Sequence, residues 1–174
     1  RVMNIVVPMS GLGSRFRNIG IEIPKPLIVV EGRHIVEHAV DSLGIEGQYI
    51  FITKKYDKKE YNDQLTKILK DLVPDCIEIQ VDREQYGAAD ACLYAEKYID
   101  NEQPLIITNC DQLLRWDAQE FLDDLDKKNK QLTNLALLPG FNFEDTKKPS
   151  TAFFISLHGP HHVAQKSKTI TFPL

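Results

Sequence analysis

Apolar positions along this chain switch repeatedly between a strand period and a helix period. Asn4–Met9 carries a near-continuous apolar run, the pattern of a strand covered on both faces. Ile35–Leu43 reads as a helix and Tyr49–Thr53 as the next strand. Tyr61, Leu65, Ile68, Leu69 and Leu72 recur at helical spacing, which predicts an amphipathic helix over Asp57–Leu72. Ile77–Val81 returns to strand. In Ala88–Tyr98, Ala91, Ala95 and Tyr98 share one helical face whose small residues allow close approach to a sheet. Leu105–Thr108 is a short, buried and central strand. Asp117 with Glu120 forms an acidic capping box that opens a helix running to Lys128, and Leu135–Leu138 is a further strand. Ala152–Leu157 and His162–Gln165 read as a hairpin around His158-Gly159-Pro160. Such alternation predicts an α/β fold, a mainly parallel (mixed) sheet with helices on both faces.

Size and composition keep this picture simple. With 174 residues, 43% hydrophobic and 26% charged, the chain suits one domain with one sizeable core. No internal repeat, low-complexity tract or linker divides it. Cys76, Cys92 and Cys110 are widely spaced and odd in number, so they read as reduced, mostly buried thiols rather than a zinc site or disulfide framework. No apolar run reaches membrane-spanning length and no secretory pattern opens the sequence, so the expected compartment is the cytoplasm, with no membrane partner. His158, His161 and His162 read as solvated residues, because neighbouring side chains of a strand point to opposite faces.

A net charge of −4 argues against general nucleic-acid binding, which depends on broad neutralisation of phosphates. The charge is unevenly distributed. Residues 1–33 carry five basic side chains (Arg1, Arg15, Arg17, Lys25, Arg33) against two acids, Glu22 and Glu31, a net +3. Residues 78–126 carry thirteen acids against Arg83, Lys97 and Arg115, a net −10. A basic segment beside an acidic one suits a metal–triphosphate substrate, although many of these acids coat solvated helix faces.

The chemistry concentrates after the first strand. It runs into Ser10-Gly11-Leu12-Gly13-Ser14-Arg15-Phe16, with Pro24-Lys25-Pro26-Leu27 close behind. Two glycines spaced by one residue let backbone N–H groups turn outward around a phosphate. Arg15 can fork onto phosphate oxygens, and Lys25, held between two prolines, acts as a fixed point charge. Two other phosphate motifs fit poorly. A dinucleotide fingerprint needs a third glycine where Phe16 stands and a helix that Gly20, Pro24 and Pro26 leave no room for, although Glu31 falls where a ribose-binding acid would. A Walker loop needs a lysine followed by Ser or Thr after its second spaced glycine. Asp111, directly after the Leu105–Thr108 strand, is placed to reach a magnesium ion whose other ligands are water and phosphate oxygens.

Pro8 to Phe16 followed by Pro24-Lys25-Pro26-Leu27 resembles the signature of the nucleotidyltransferases that activate sugar phosphates, with Ser10 where alanine is more usual. Gln85-Tyr86-Gly87-Ala88-Ala89 resembles that family's base-reading loop, and Leu105 to Gln112 resembles its metal-binding strand end. The resemblance covers most of residues 4–168. It implies a Rossmann-like, GT-A-type nucleotidyltransferase fold in a single domain over 1–174, incomplete at its C-terminal end relative to the family.

The resemblance also implies a reaction: a phosphate oxygen of an acceptor attacks the α-phosphorus of a nucleoside triphosphate and releases pyrophosphate, with Mg²⁺ as cofactor. It makes Arg15 and Lys25 catalytic, Arg15 on the β- and γ-phosphates and Lys25 toward the attacking phosphate. Met9, Ser10, Gly11, Leu12, Gly13, Ser14, Gln85, Gly87, Ala88 and Asn109 would bind the nucleotide, and Asp111 the metal. Val163-Ala164-Gln165-Lys166 resembles the family's glutamate–lysine motif, making Lys166 the contact to the acceptor phosphate, with Gln165 replacing the acid. Expected partners are a triphosphate and a phosphorylated small molecule, and a homo-oligomer stays open. Two alternatives remain at this point: a non-catalytic nucleotide-binding module or truncated homologue, and a GT-A glycosyltransferase. The second ranks last because Asn109-Cys110-Asp111 offers one acid where such enzymes carry two.

Overall fold

The computed structural model describes residues 3–11, 13–82, 88–99, 103–129, 135–137, 151–156 and 168–171. For residues 14, 15, 89 and 124–129, and for the strands from residue 135 onward, the backbone alone is described.

The first strand, β1 (Asn4–Met9), forms over the expected residues, and a one-turn helix, α1 (Ser14–Arg17), follows it. A 3₁₀ turn spans Lys25–Leu27, and a small antiparallel ribbon pairs β2 (Val29–Val30) with β3 (Arg33–His34). Then come α2 (Ile35–Leu43), β4 (Gln48–Lys54), α3 (Lys59–Leu72) and β5 (Ile77–Val81). The Ala88–Tyr98 prediction resolves into α4 (Ala88–Cys92), a 3₁₀ turn over Leu93–Ala95, and α5 (Glu96–Ile99). The chain continues through β6 (Leu105–Ile107), α6 (Ala118–Asn129), β7 (Leu135–Leu137), β8 (Thr151–Ser156) and β9 (Lys168–Thr171).

Among the described residues, seven strands form one sheet in the order β5-β4-β1-β6-β7-β8-β9. The pairs from β5 across to β7 are parallel, and β8 and β9 add antiparallel edges, so the sheet is mixed and mainly parallel as expected. The first strand of the predicted hairpin matches β8, which pairs antiparallel with both β7 and β9. Residues 162–165 lie outside the described residues.

Side-chain alternation along the central strands explains why helices cover both faces. Ile5, Val7, Met9, Tyr49, Phe51 and Ile106 point to one side and pack with Val36 and Leu43 of α2, Leu65 and Leu69 of α3, and Phe121 and Leu122 of α6. Val6, Ile50, Ile52, Leu105 and Ile107 point to the other and meet Ala91 and Ala95. Each fully buried Leu or Ile side chain contributes about 2 kcal/mol of transfer free energy, so these two layers dominate the stability of the fold.

The order of the strands places the site. From β1 the chain winds outward through β4 to β5, then returns past β1 to lay down β6 on its other side. The strand order therefore reverses between β1 and β6, and at such a switch point the loops beyond the carboxyl ends part to leave a crevice. Thr108 N–H donates to Val6 O at 3.0 Å, which keeps the two strand ends together up to the loops.

Two local features bear on the dinucleotide fingerprint, and both fit its rejection. The turn α1 does form, but it closes within a residue or two: Gly20 N–H donates to Arg17 O at 3.0 Å and Gly20 itself has φ +83°. Glu31 occupies the turn between β2 and β3, exposed and with φ +49°.

Candidate active site

The loop after β1 begins buried and becomes open. Met9 and Ser10 are buried, Gly11 is exposed, and a Cβ built on Gly11 would meet nothing within 4 Å. Gly13 sits at φ +60°, a conformation that L side chains adopt at a steric cost. From there its carbonyl accepts the N–H of Phe16 at 3.0 Å and of Arg17 at 3.3 Å, so the left-handed residue starts α1. A Cβ on Gly13 would stand 3.9 Å from Lys25 Cβ, which puts the glycine turn directly against the lysine.

Lys25 stands on a stiff base. Pro24 has φ −52° and ψ 135°, its carbonyl accepts Leu27 N–H at 2.8 Å, and Pro26 and Leu27 are buried, Leu27 within the main core. Two prolines and one core leucine thus leave the lysine side chain as the moving part. Its ammonium lies 5.6 Å from the centre of the Phe16 ring and pairs with the carboxylate of Asp111. Both side chains are 32% exposed. An ion pair this open to water contributes at most about 1 kcal/mol, so a ligand of higher charge can exchange it.

Asp111 follows β6 in a turn with Cys110. Asn109 Nδ2 donates to Gln112 Oε1 at 2.9 Å, tying the two ends of this turn. The Cys110 thiol is pushed up to about 12, first by burial and then by the Asp111 charge, against the Lys25 charge. With no metal beside it, it stays a neutral thiol at physiological pH. Tyr56, just beyond β4, has its phenol pushed up to about 12, chiefly by burial. Among the described residues no group of three His, Cys, Asp or Glu side chains could cage a metal. A single carboxylate beside an open glycine loop suits only an ion that takes most of its ligands from elsewhere, as Mg²⁺ does.

The structure therefore brings Met9, Ser10, Gly11, Gly13, Lys25, Asn109 and Asp111 to the carboxyl ends of two adjacent parallel strands. Ser14 and Arg15 belong to α1, described by backbone, and Ala88 is the first residue of α4. Leu12, Gln85, Gly87 and Lys166 lie outside the described residues. Sequence reasoning missed Phe16 as the ring beneath Lys25. It also missed Ser42, which touches the segment following Asp111 from a helix seventy positions away. Phe16 was legible in principle as the aromatic neighbour of a glycine turn; Ser42 carries no sequence signal.

An open α/β sheet with opposite charges gathered at its switch point is the class of protein these features define. The family model for Nucleotidyl transferase matches residues 6–142, and the chain belongs to that family. The bifunctional protein GlmU of Methanococcus vannielii is 28% identical over 121 residues, 70% of this chain and 27% of that protein. The mannose-1-phosphate guanyltransferase of Aspergillus oryzae is 22% identical over 173 residues, 99% of this chain and 45% of that protein. The chain thus spans less than half the length of these relatives. Among solved structures, a putative glucose-1-phosphate thymidylyltransferase from Bacillus anthracis matches with a TM-score of 0.59 and 21% identity, over 72% of this chain and 51% of that one. A UDP-glucose pyrophosphorylase complexed with UDP-glucose matches with a TM-score of 0.53 and 15% identity, over 98% of this chain and 74% of that one. These structural likenesses establish the fold.

Proposed function

We propose that this protein transfers a nucleoside monophosphate from a nucleoside triphosphate to a sugar phosphate, or a similar phosphorylated small molecule, with release of pyrophosphate. The observation that carries the reading is the meeting of Lys25 and Asp111 beside the Gly11–Gly13 turn at the switch point. A cation for phosphate, a carboxylate for a metal and an open backbone loop are the parts such a transfer needs, since it proceeds without a protein nucleophile. Membership of the family and the sugar phosphates named for two of the similar proteins support it.

In this reading the exposed turn at Gly11 and Gly13 cradles the triphosphate, with Arg15 on its β- and γ-phosphates. Lys25 leaves Asp111 and reaches the acceptor phosphate, which brings two anions together that would otherwise repel. Asp111 would hold Mg²⁺, whose chemistry is to neutralise charge on the transferred and departing phosphates. The nucleoside would be the ligand of Gln85, Gly87, Ala88 and Asn109, and the acceptor phosphate that of Lys166. Reduced thiols fit a cytoplasmic protein, and among the described residues no helix is long and apolar enough to cross a membrane.

The names of the similar proteins differ in nucleobase, so the test is a panel. Pyrophosphate release is measured with each common triphosphate against a set of sugar phosphates, with magnesium. Steady turnover with one pair, reduced about a hundredfold or more in Lys25→Ala, is expected, the usual loss on removing a group that stabilises developing charge. Binding of triphosphate without turnover with any acceptor would contradict transfer by this chain.

A further inference from the structure

The segment that carries Asp111 leaves β6 and reaches α6 without joining a sheet ladder, and Ser42 of α2 holds it in place from outside. Ser42 is the penultimate residue of α2, just before the left-handed cap at Gly44 (φ 63°). Its Oγ accepts the N–H of Leu114 at 3.1 Å and donates to Ala39 O at 3.0 Å, with Gln112 O further away at 3.4 Å. The backbone carbonyl of Ser42 belongs to the last turn, where no further helical N–H is available. It accepts Trp116 Nε1–H at 3.0 Å. The indole packs at 4.8 Å from the Phe121 ring, and both rings lie against the core that contains Leu43.

One residue on a core-packed helix therefore fixes both Leu114 and Trp116, three and five positions after Asp111. We infer that Ser42 is a positioning residue for Asp111: it sets where the carboxylate stands and so controls the metal-dependent part of polyphosphate binding. This rests on the reading that Asp111 serves a metal. The physical case is one of tolerance. A carboxylate meets a small, hard cation only within a few tenths of an ångström, and the turn around Asp111 has its own tie, Asn109 to Gln112, which closes the turn on itself without attaching it to the rest of the fold. Burial of Cys110 in the main core seats one side of the turn, and the Ser42 contacts tie the segment that follows Asp111 to α2. Removing the hydroxyl leaves the Leu114 N–H without its acceptor and lets the carboxylate drift, while the Lys25 base, anchored separately through Leu27, is untouched.

The test uses Ser42→Ala, Ser42→Thr and Trp116→Phe, with manganese(II) and inorganic tripolyphosphate as probes. Affinity for tripolyphosphate is measured by calorimetry with manganese and again with EDTA. Thermal unfolding and near-ultraviolet circular dichroism report whether each variant folds. Ser42→Ala is expected to weaken manganese-dependent binding roughly tenfold, the scale found when partners behind metal ligands are removed. Metal-free binding is expected to stay within about twofold, and Ser42→Thr, which keeps the hydroxyl, to restore affinity. Trp116→Phe breaks the second tie without touching Ser42 and is expected to cause a loss of the same kind, so the inference survives a failure of Ser42→Ala to fold. Equal losses with and without metal, or no loss in folded Ser42→Ala and Trp116→Phe, would overturn it. If the wild-type protein shows no effect of manganese, the assignment of Asp111 falls first and this inference with it. A wild-type metal effect untouched by either substitution removes the inference alone.

Discussion

Lys25 and Asp111 close an ion pair across 86 positions of sequence, each from a separately anchored loop. The lysine stands on a proline-bracketed turn fixed by Leu27, the aspartate beyond β6 on a segment fixed by Ser42. The ammonium sits where a metal would approach the carboxylate, and the carboxylate sits where a phosphate would approach the ammonium. In the proposed roles, a metal and a polyphosphate would compete with this one contact from opposite sides, and each that broke it would release the group the other needs, a reciprocal linkage.

That reciprocity sets the outcome for Asp111→Asn. The substitution removes the charge that holds Lys25, so metal-free tripolyphosphate is expected to bind about threefold to fivefold more tightly, the scale of a partly exposed ion pair. The gain in affinity on adding magnesium is expected to vanish. Titration calorimetry in EDTA and in magnesium reads both effects. Weaker metal-free binding in Asp111→Asn would show that the pair does not restrain Lys25.

The two glycines of the loop separate folding from binding. Gly13→Ala forces a left-handed residue and is expected to destabilise the protein by about 1–2 kcal/mol, visible as a lowered melting temperature. Gly11→Ala adds a methyl group to open space and is expected to leave the melting temperature unchanged while weakening triphosphate binding. A fall in stability for Gly11→Ala equal to that for Gly13→Ala would contradict the view that the space beside Gly11 is for a ligand.

Alkaline stability follows from the buried neutral acids. Burial first, and the Asp41 charge second, push the Tyr49 phenol from 10.0 to about 12, and burial pushes the Cys92 thiol from 9.0 to about 11. The Tyr49 hydroxyl donates to Ile45 O at 2.8 Å. Both groups keep their protons longer when folded than when unfolded. Their contribution is fully present below pH 9 and is lost as pH rises from about 9 through about 12, because the unfolded chain then binds fewer protons. Denaturant titrations at stepped pH are expected to show a falling free energy of unfolding across that window. A rise there would contradict the burial of these groups.

The raised thiols also predict reactivity. Burial raises all three free cysteines, Cys110 to about 12. A thiol reagent at pH 8 is expected to label the folded protein slowly and all three cysteines rapidly after denaturation. Fast labelling of Cys110 in the folded state would mean that its turn is open to solvent, against the packing described.

Much of the architecture was legible because the central strands are long apolar runs and the helices repeat at a clear spacing. β1, α2 and β5 fall on the predicted residues, and Asp117 caps α6 by accepting the N–H groups of Gln119 and Glu120 at 2.9 and 3.0 Å. The β2–β3 ribbon was missed because two-residue strands carry no period, and the cap of α2 because a histidine performs it. His34 Nδ1 meets Glu37 Oε2 at 2.6 Å, and His34 N–H donates to the same oxygen at 2.7 Å. Local motif chemistry flagged Lys25 and Asp111 separately. Their pairing, and the part played by Ser42, depend on which strands become neighbours, a long-range outcome that no window of sequence contains.

The most direct measurement is a crystal structure of the protein with magnesium and the triphosphate selected by the pyrophosphate panel. The account predicts polyphosphate over the Gly11–Gly13 turn, the metal on the Asp111 carboxylate and the Lys25 ammonium moved onto phosphate. Nucleotide bound elsewhere, with the Lys25–Asp111 pair still closed, would contradict it.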